Sequence, residues 1–325
     1  MAKVIVGVDL GGTNLKVAVV TEDRELLHKD SVPTLAEEGP DAVLGRIEQA
    51  TRDALAAAGH TLEDTLAVGV GIPGPMNWQS GVVYSPPNLP GWKNVPVGDT
   101  LGKALGVPCY IENDANVACY GEFWMGAGRG TESMAVLTLG TGVGGGVVVL
   151  GELLRGIDGT AAELGHLKVQ RDGRPCGCGS TGCLESYASV SGMVRTAIEA
   201  LASGRESSLR ELCGGDVEAI TGKMVFDAAE AGDTVAKWVF EETATWLGLG
   251  IVSIVHYQNP EKVVLCGGMI AAGDMLFDPI RKFVKANAFE VPGNRCQIVP
   301  AGLGSDSGVL GAAGCAYARF KAEGV

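Results

Sequence analysis

The chain has 325 residues, 46% hydrophobic and 19% charged, the proportions of an ordinary folded protein with room for two domains, so disorder is not expected. Its 38 acidic residues against 25 basic ones give a formal charge of -13, which opposes nonspecific attraction to nucleic acid or an anionic membrane and leaves room only for a local basic pocket. No uninterrupted apolar run reaches the roughly 18 to 20 residues of a membrane span and no targeting segment precedes Val4, so a cytoplasmic protein is expected.

Residues 3–9 are apolar and β-branched; Gly11-Gly12 then turns the chain into a second strand-like run, Lys16 to Val20, and a third follows near Leu26 to Val32. Asp9-Leu-Gly11-Gly12-Thr13 therefore sits at a strand end, where glycines let backbone amides approach phosphate oxygens and Thr13 adds a hydroxyl. The spacing and the missing lysine exclude a P-loop, and a second strand stands where a dinucleotide fingerprint requires a helix. Asp9 suits a magnesium ion held through water, or equally a turn carboxylate capping its own amides. Residues 41–58 show helical periodicity, and the strand Leu66 to Ile72 stops at Pro73-Gly74-Pro75. Met76 to Pro96 reads as one long glycine- and proline-rich loop, a feature more often functional than idle.

The strand Pro108 to Ile111 leads through Glu112-Asn113-Asp114 into a helix from Ala115 to Met125. Asp114, held rigidly at that junction, is the general-base candidate, able to accept an alcohol proton during phosphoryl transfer. Asn113 or Asp114 can also cap the helix, and the two roles do not exclude each other. Met134 to Leu139 and Gly146 to Leu150 flank Thr141-Gly142-Val143-Gly144, repeating the opening arrangement of strand, glycine turn and strand, which suggests two related halves joined near residues 120–130. Helices are predicted over 187–203, 233–256 and 306–320, and a buried strand, Lys262 to Cys266, ends at Gly267-Gly268. The glycines at these three strand ends together favour a nucleotide.

His166, Cys176, Cys178 and Cys183 bring three thiols and an imidazole into eighteen residues, with Gly177, Gly179 and Gly182 allowing a short knuckle to fold back. Four such donors make a closed tetrahedral zinc site, structural rather than catalytic. A disulfide among the same thiols would also close the loop, and the C-x-C and C-x₄-C spacings differ from paired C-x₂-C knuckles. The remaining cysteines read as small core side chains in a reducing compartment. Glu163 and Glu185, flanking the metal donors, are either sugar-binding carboxylates or supports of the metal shell.

In combination, Asp9-Leu-Gly-Gly-Thr13, Asn88-Leu-Pro-Gly-Trp92, Glu112-Asn-Asp114, Leu139-Gly-Thr-Gly-Val-Gly144 and Ala162-Glu-Leu-Gly-His166 with the cysteine knuckle resemble the ROK family of sugar kinases and repressors, and within it the bacterial glucokinases. The resemblance spans essentially the whole chain. It implies an α/β, actin-like ATPase fold of the hexokinase, ribonuclease H-like type, with two domains around a cleft: 1–122 completed by a C-terminal helix over 306–325, and a larger 123–305 carrying the knuckle. It also implies ATP-dependent phosphorylation of D-glucose at the 6-hydroxyl, with Asp114 as base and Gly74, Asn88, Asn113, Asp114, Glu163, His166 and Glu185 around the sugar. Gly11, Gly12, Thr13, Thr141, Gly142, Gly267 and Gly268 match nucleotide-phosphate surfaces, with Asp9 near Mg²⁺; His166, Cys176, Cys178 and Cys183 match ligands of a structural Zn²⁺, His166 turning its other ring nitrogen toward a sugar hydroxyl. Alternatives are an N-acetylmannosamine or other hexose kinase of the same family, and a non-catalytic sugar-sensing protein. The absence of a helix-turn-helix segment before the first strand speaks against the repressor branch, a homodimer or homotetramer is expected, and residues 214–223 read as a local elaboration without a function.

Overall fold

The computed structural model describes residues 2–86 and 88–324, and the chain divides into two compact units. One holds the chain up to Thr131, Gly146–Ala162 and the chain from Gly302 onward; the other holds Glu132–Gly145 and Glu163–Ala301.

In the first unit, strands β1 (Val4–Leu10), β2 (Asn14–Thr21) and β3 (Leu26–Pro33) form an antiparallel meander. Helix α1 (Pro40–Ala57) follows, with proline in its first turn and Val43, Leu44, Ile47, Ala54 and Leu55 buried at helical spacing. Strand β4 (Thr65–Ile72) then pairs in parallel with β1. Both are buried along nearly their whole length, which explains why they read as continuous apolar runs instead of alternating ones. The stretch expected to be one loop contains a small antiparallel sheet of two-residue strands, β5 (Met76–Asn77), β6 (Val82–Val83) and β7 (Val95–Pro96), followed by helix α2 (Val97–Leu105). Strand β8 (Cys109–Asn113) completes the main sheet in the order β3-β2-β1-β4-β8 and runs without a gap into helix α3 (Asp114–Trp124). The C-terminal helix Ser307–Glu323 packs on β1, β4 and α3 at backbone contact distance: a Cβ on Gly69 would lie 1.9 Å from the Ala312 carbonyl, and one on Gly311 1.7 Å from that of Val117.

The second unit begins with β9 (Met134–Leu139) and the start of β10 (Val143–Val149), whose far half forms with β11 (Glu152–Leu153) a hairpin belonging to the first unit. The helix expected over 187–203 is broken into α4 (Glu185–Ala188) and α5 (Val190–Ala202) because the buried Ser189 takes an extended backbone, ψ 169, and caps α5, its hydroxyl accepting from the Gly192 amide at 2.9 Å. Helices α6 (Leu209–Leu212) and α7 (Gly222–Glu230) precede α8 (Thr234–Gln258), which is long and apolar enough to cross a bilayer yet buries Phe240, Leu247 and Ile251 in the core of this unit. Strand β12 (Lys262–Cys266), helices α9 (Asp274–Asn287) and α10 (Glu290–Arg295), and strand β13 (Gln297–Pro300) follow; β12 pairs in parallel with both β9 and β13.

The units divide differently from the boundaries expected at 122/123 and 305/306. Glu122, fully buried, accepts the amides of Ala127, Gly302 and Leu303, which keeps both the chain after α3 and the chain from Gly302 in the first unit. Segment 146–162 joins them because a Cβ on Gly146 would stand 2.4 Å from the Cβ of Cys119, so β10 lies close against α3.

Candidate functional site

In the first unit the chemistry gathers where β1 and β8 end. Asn113, the last strand residue, is the N-cap of α3: its Oδ1 accepts the amides of Ala115 at 2.9 Å and Asn116 at 3.4 Å. Asp114, the first helical residue, accepts the Ala115 amide through Oδ1 at 2.9 Å and keeps its side chain open to solvent. Capping is thus carried chiefly by Asn113, and the Asp114 carboxylate retains acceptor capacity. The protein mass around Asp114 strips enough water to push its carboxyl above the ordinary value, although hydrogen bonds from the Ala115 amide and the Asn113 side chain pull the other way. Asp9, on β1, behaves alike: burial pushes it up, Lys16 opposes, and the charge of Asp114 adds to the rise. Two carboxylates in electrostatic contact, both held above their usual range, are suited to sharing a cation or a proton.

The glycine turn between β1 and β2 is closed by the Gly11 amide donating to the Asn14 carbonyl at 3.0 Å, while Gly12 and Thr13 are exposed. Asn88 is also exposed and stands beside it, its carbonyl 3.4 Å from where a Gly12 Cβ would lie. Gly74 follows β4, half-buried, at φ 92.

The second unit holds the other predicted residues. The ligand atoms of His166, Cys176, Cys178 and Cys183 all lie within 4.8 Å of one another. Cys176 Sγ is 3.7 Å from His166 Nδ1, and Cys178 Sγ is 3.7 Å from Cys183 Sγ. A tetrahedral ion with metal–sulfur bonds of about 2.3 Å needs donors about 3.8 Å apart, so these separations and the soft donor set fit zinc. His166 turns Nε2 the opposite way, 4.0 Å from Glu163. Lys168 Nζ lies 2.8 Å from Cys183 Sγ. Glu185 accepts the Val143 amide at 2.9 Å through Oε2, while Oε1 lies 3.5 Å from Cys176 Sγ, so one carboxylate ties the Thr141–Val143 turn to the knuckle.

Two cavities flank the first turn of α5. One, of 410 Å³, is polar: Thr141, Gly142, Glu185, Ser189, Ser191 and Arg195 are among its walls. The other, of 310 Å³, is largely apolar, with Val190, Met193, Phe226, Phe240, Gly268 and Met269 around it. Gly267 and Gly268 are exposed at the end of β12; Gly267 sits at φ 94, and a Cβ there would meet the Leu139 carbonyl at 2.3 Å, so only glycine lets these two strand ends come together. The apolar cavity was not foreseen, because its Phe226 wall lies on α7, a helix that the sequence reading left unassigned although Val225, Ala228 and Ala229 recur there at helical spacing.

The sequence profile of the ROK family matches residues 5–319. A glucokinase of Halalkalibacterium halodurans is 39% identical over 307 residues, covering 94% of this chain and 92% of that one. Among solved structures, a ROK hexokinase from Thermus thermophilus matches with a TM-score of 0.82 at 34% identity, over 98% of this chain and 99% of the other. A ROK family glucokinase from Streptomyces griseus in complex with glucose and AMPPNP matches with a TM-score of 0.73 at 36% identity, over 97% and 99%. The architecture is accordingly the actin-like ATPase fold implied by the sequence motifs.

Proposed function

The chain belongs to the ROK family, and on that premise we propose that it is an ATP-dependent glucokinase that phosphorylates the 6-hydroxyl of D-glucose, with Asp114 as general base. The observation that carries this reading is the β8–α3 junction. Asn113 takes over the helix cap, so the neighbouring carboxylate is available at a rigid position, with its pKa raised toward the working range of a base.

In this reading Asp114 accepts the hydroxyl proton as the sugar oxygen attacks the γ-phosphorus, and the bond to the β-phosphate oxygen breaks to release ADP. Gly74, Asn88, Asn113, Glu163, His166 and Glu185 would contact the sugar. Gly11, Gly12, Thr13, Thr141, Gly142, Gly267 and Gly268 would offer backbone or hydroxyl donors to the phosphates, and the apolar cavity beside Gly268 suits a nucleobase. Asp9 would hold Mg²⁺, which when bound with the nucleotide offsets phosphate charge. His166, Cys176, Cys178 and Cys183 would hold Zn²⁺, and with four protein donors the ion would serve structure and not activate a water.

The test is ADP production by the metal-loaded protein with MgATP across glucose, N-acetylmannosamine, mannose, fructose and allose, with D114A beside the wild type. Glucose preference and a loss of roughly 10²- to 10⁴-fold in kcat for D114A are expected. Preference for another sugar would move the assignment within the family. Sugar binding without ADP formation would leave a sensing protein.

A further inference from the structure

We infer that Glu112 is a positioning residue for the acceptor site, acting through an ion pair between its buried carboxylate and the half-buried Arg155; the inference rests on the reading of Asp114 as base. Glu112 is 5% exposed, and its carboxylate is engaged on both oxygens. Oε1 accepts the Asn113 amide at 3.0 Å and Asn116 Nδ2 at 3.0 Å, while Oε2 accepts Arg155 Nε at 2.6 Å. One side chain thus grips the residue before Asp114 and a buried residue two positions after it, fixing how the strand hands over to the helix at the point where the base stands.

Arg155 is itself held. Its guanidinium lies 4.6 Å from the centroid of the Trp78 ring, which also carries the guanidinium of Arg319 at 5.3 Å. Arg319 in turn donates to the Trp78 and Gln79 carbonyls at 2.6 and 3.2 Å. Arg155 also belongs to the segment that runs on in sequence to Glu163. An ion pair drawn partly out of water often stabilises a fold no better than an apolar pair of similar volume. What this pair supplies is geometry: the rotation of the first turn of α3, and with it the direction in which the Asp114 carboxylate points. A displacement of about 1 Å at a reacting group can cost on the order of 10²-fold in rate.

The experiment compares wild type, E112Q, R155M, the double variant and D114A by steady-state kinetics on glucose and MgATP, with circular dichroism to restrict comparison to folded protein. E112Q is expected to lower kcat about 10- to 100-fold with little change in the KM for ATP. R155M should do the same, and the double variant should be no worse than the more severe single one, because both remove one interaction. R155K, which keeps the charge and loses the Nε contact, should fall between the wild type and R155M and serves where E112Q does not fold. Wild-type kcat in folded E112Q, or multiplicative losses in the double variant, would overturn the inference while an inactive D114A left the base reading intact. An active D114A would remove the base reading and this inference with it.

Discussion

Asp114 and Asp9 illustrate how environment, and not residue type alone, makes a functional group. Burial is the leading cause of the rise in both, and for Asp9 the Asp114 charge adds to it. A general base acts only when deprotonated, so kcat/KM should fall as pH drops through the raised pKa, placing the acid limb above the 3.8 of an ordinary aspartate. Stability has the opposite sense. A carboxyl whose folded pKa lies above its unfolded one favours the fold below the unfolded value and loses that contribution as pH rises through the folded value, so at pH 7 the ionised Asp114 opposes folding. Asp114→Asn should therefore leave the melting temperature unchanged or higher at pH 7 while kcat collapses. A pH-rate profile of the wild type and thermal unfolding of both proteins check this together; an acid limb at or below 3.8, or a marked loss of stability in the variant, would contradict it. At this same scale the metal donors were legible because their spacing is local, whereas Glu112, quoted with Asn113 and Asp114, was given no role: its partner Arg155 lies 43 positions away, and nothing in either residue's neighbourhood announces the pair.

Elements were readable in proportion to their length and periodicity. Strands β1, β4, β9 and β12 were visible as apolar runs, and α1 and α8 as long amphipathic or buried helices. The two-residue strands β5 to β7 are too short for any period to register, and α9 carries Pro279 inside it, a breaker signal that hid the spacing of Leu276, Ile280 and Val284. The glycines of the C-terminal helix could be seen, but not their reason. Gly311 lies against α3 so closely that an added Cβ would overlap the Val117 carbonyl at 1.7 Å, a backbone atom that cannot swing aside, whereas Gly45 within α1 has nothing within 4 Å. The two positions therefore carry opposite predictions for the same change. Gly45→Ala should stabilise by about 0.5–1 kcal/mol through helix propensity. Gly311→Ala should destabilise by at least about 1–3 kcal/mol through overpacking. Denaturant unfolding of both variants measures the pair, and equal shifts would show that the helix can back away from α3.

For the whole molecule, the two-part organisation was foreseeable from the repeated strand-turn-strand pattern, but the unit boundaries were not, since 146–162 leaves one unit for the other and returns within seventeen residues. The metal knuckle has an equally global consequence. Between His166 and Cys183 the chain is mostly exposed and has little core of its own: Gly177, Cys178 and Gly179 lie open to solvent, and the loop is closed by backbone bonds such as Gly182 to Arg174 and Cys176 to Ser180, both 2.8 Å. An ion bound only by the folded state adds stability by mass action, about 2.7 kcal/mol when free metal exceeds Kd a hundredfold. The effect should not stop at the knuckle, because Leu184 donates to the Leu167 carbonyl at 2.8 Å and Glu185 holds the Val143 amide, which connects the loop to the Thr141–Gly142 turn. Stripping the metal with a chelator should therefore lower the melting temperature, expose 173–181 to proteolysis, and raise the KM for both sugar and ATP. Zinc should restore all three and magnesium should not. A stripped protein with unchanged melting, unchanged proteolysis and unchanged KM values would mean that the four donors hold their geometry without an ion, and that the knuckle owes its shape to backbone hydrogen bonds alone.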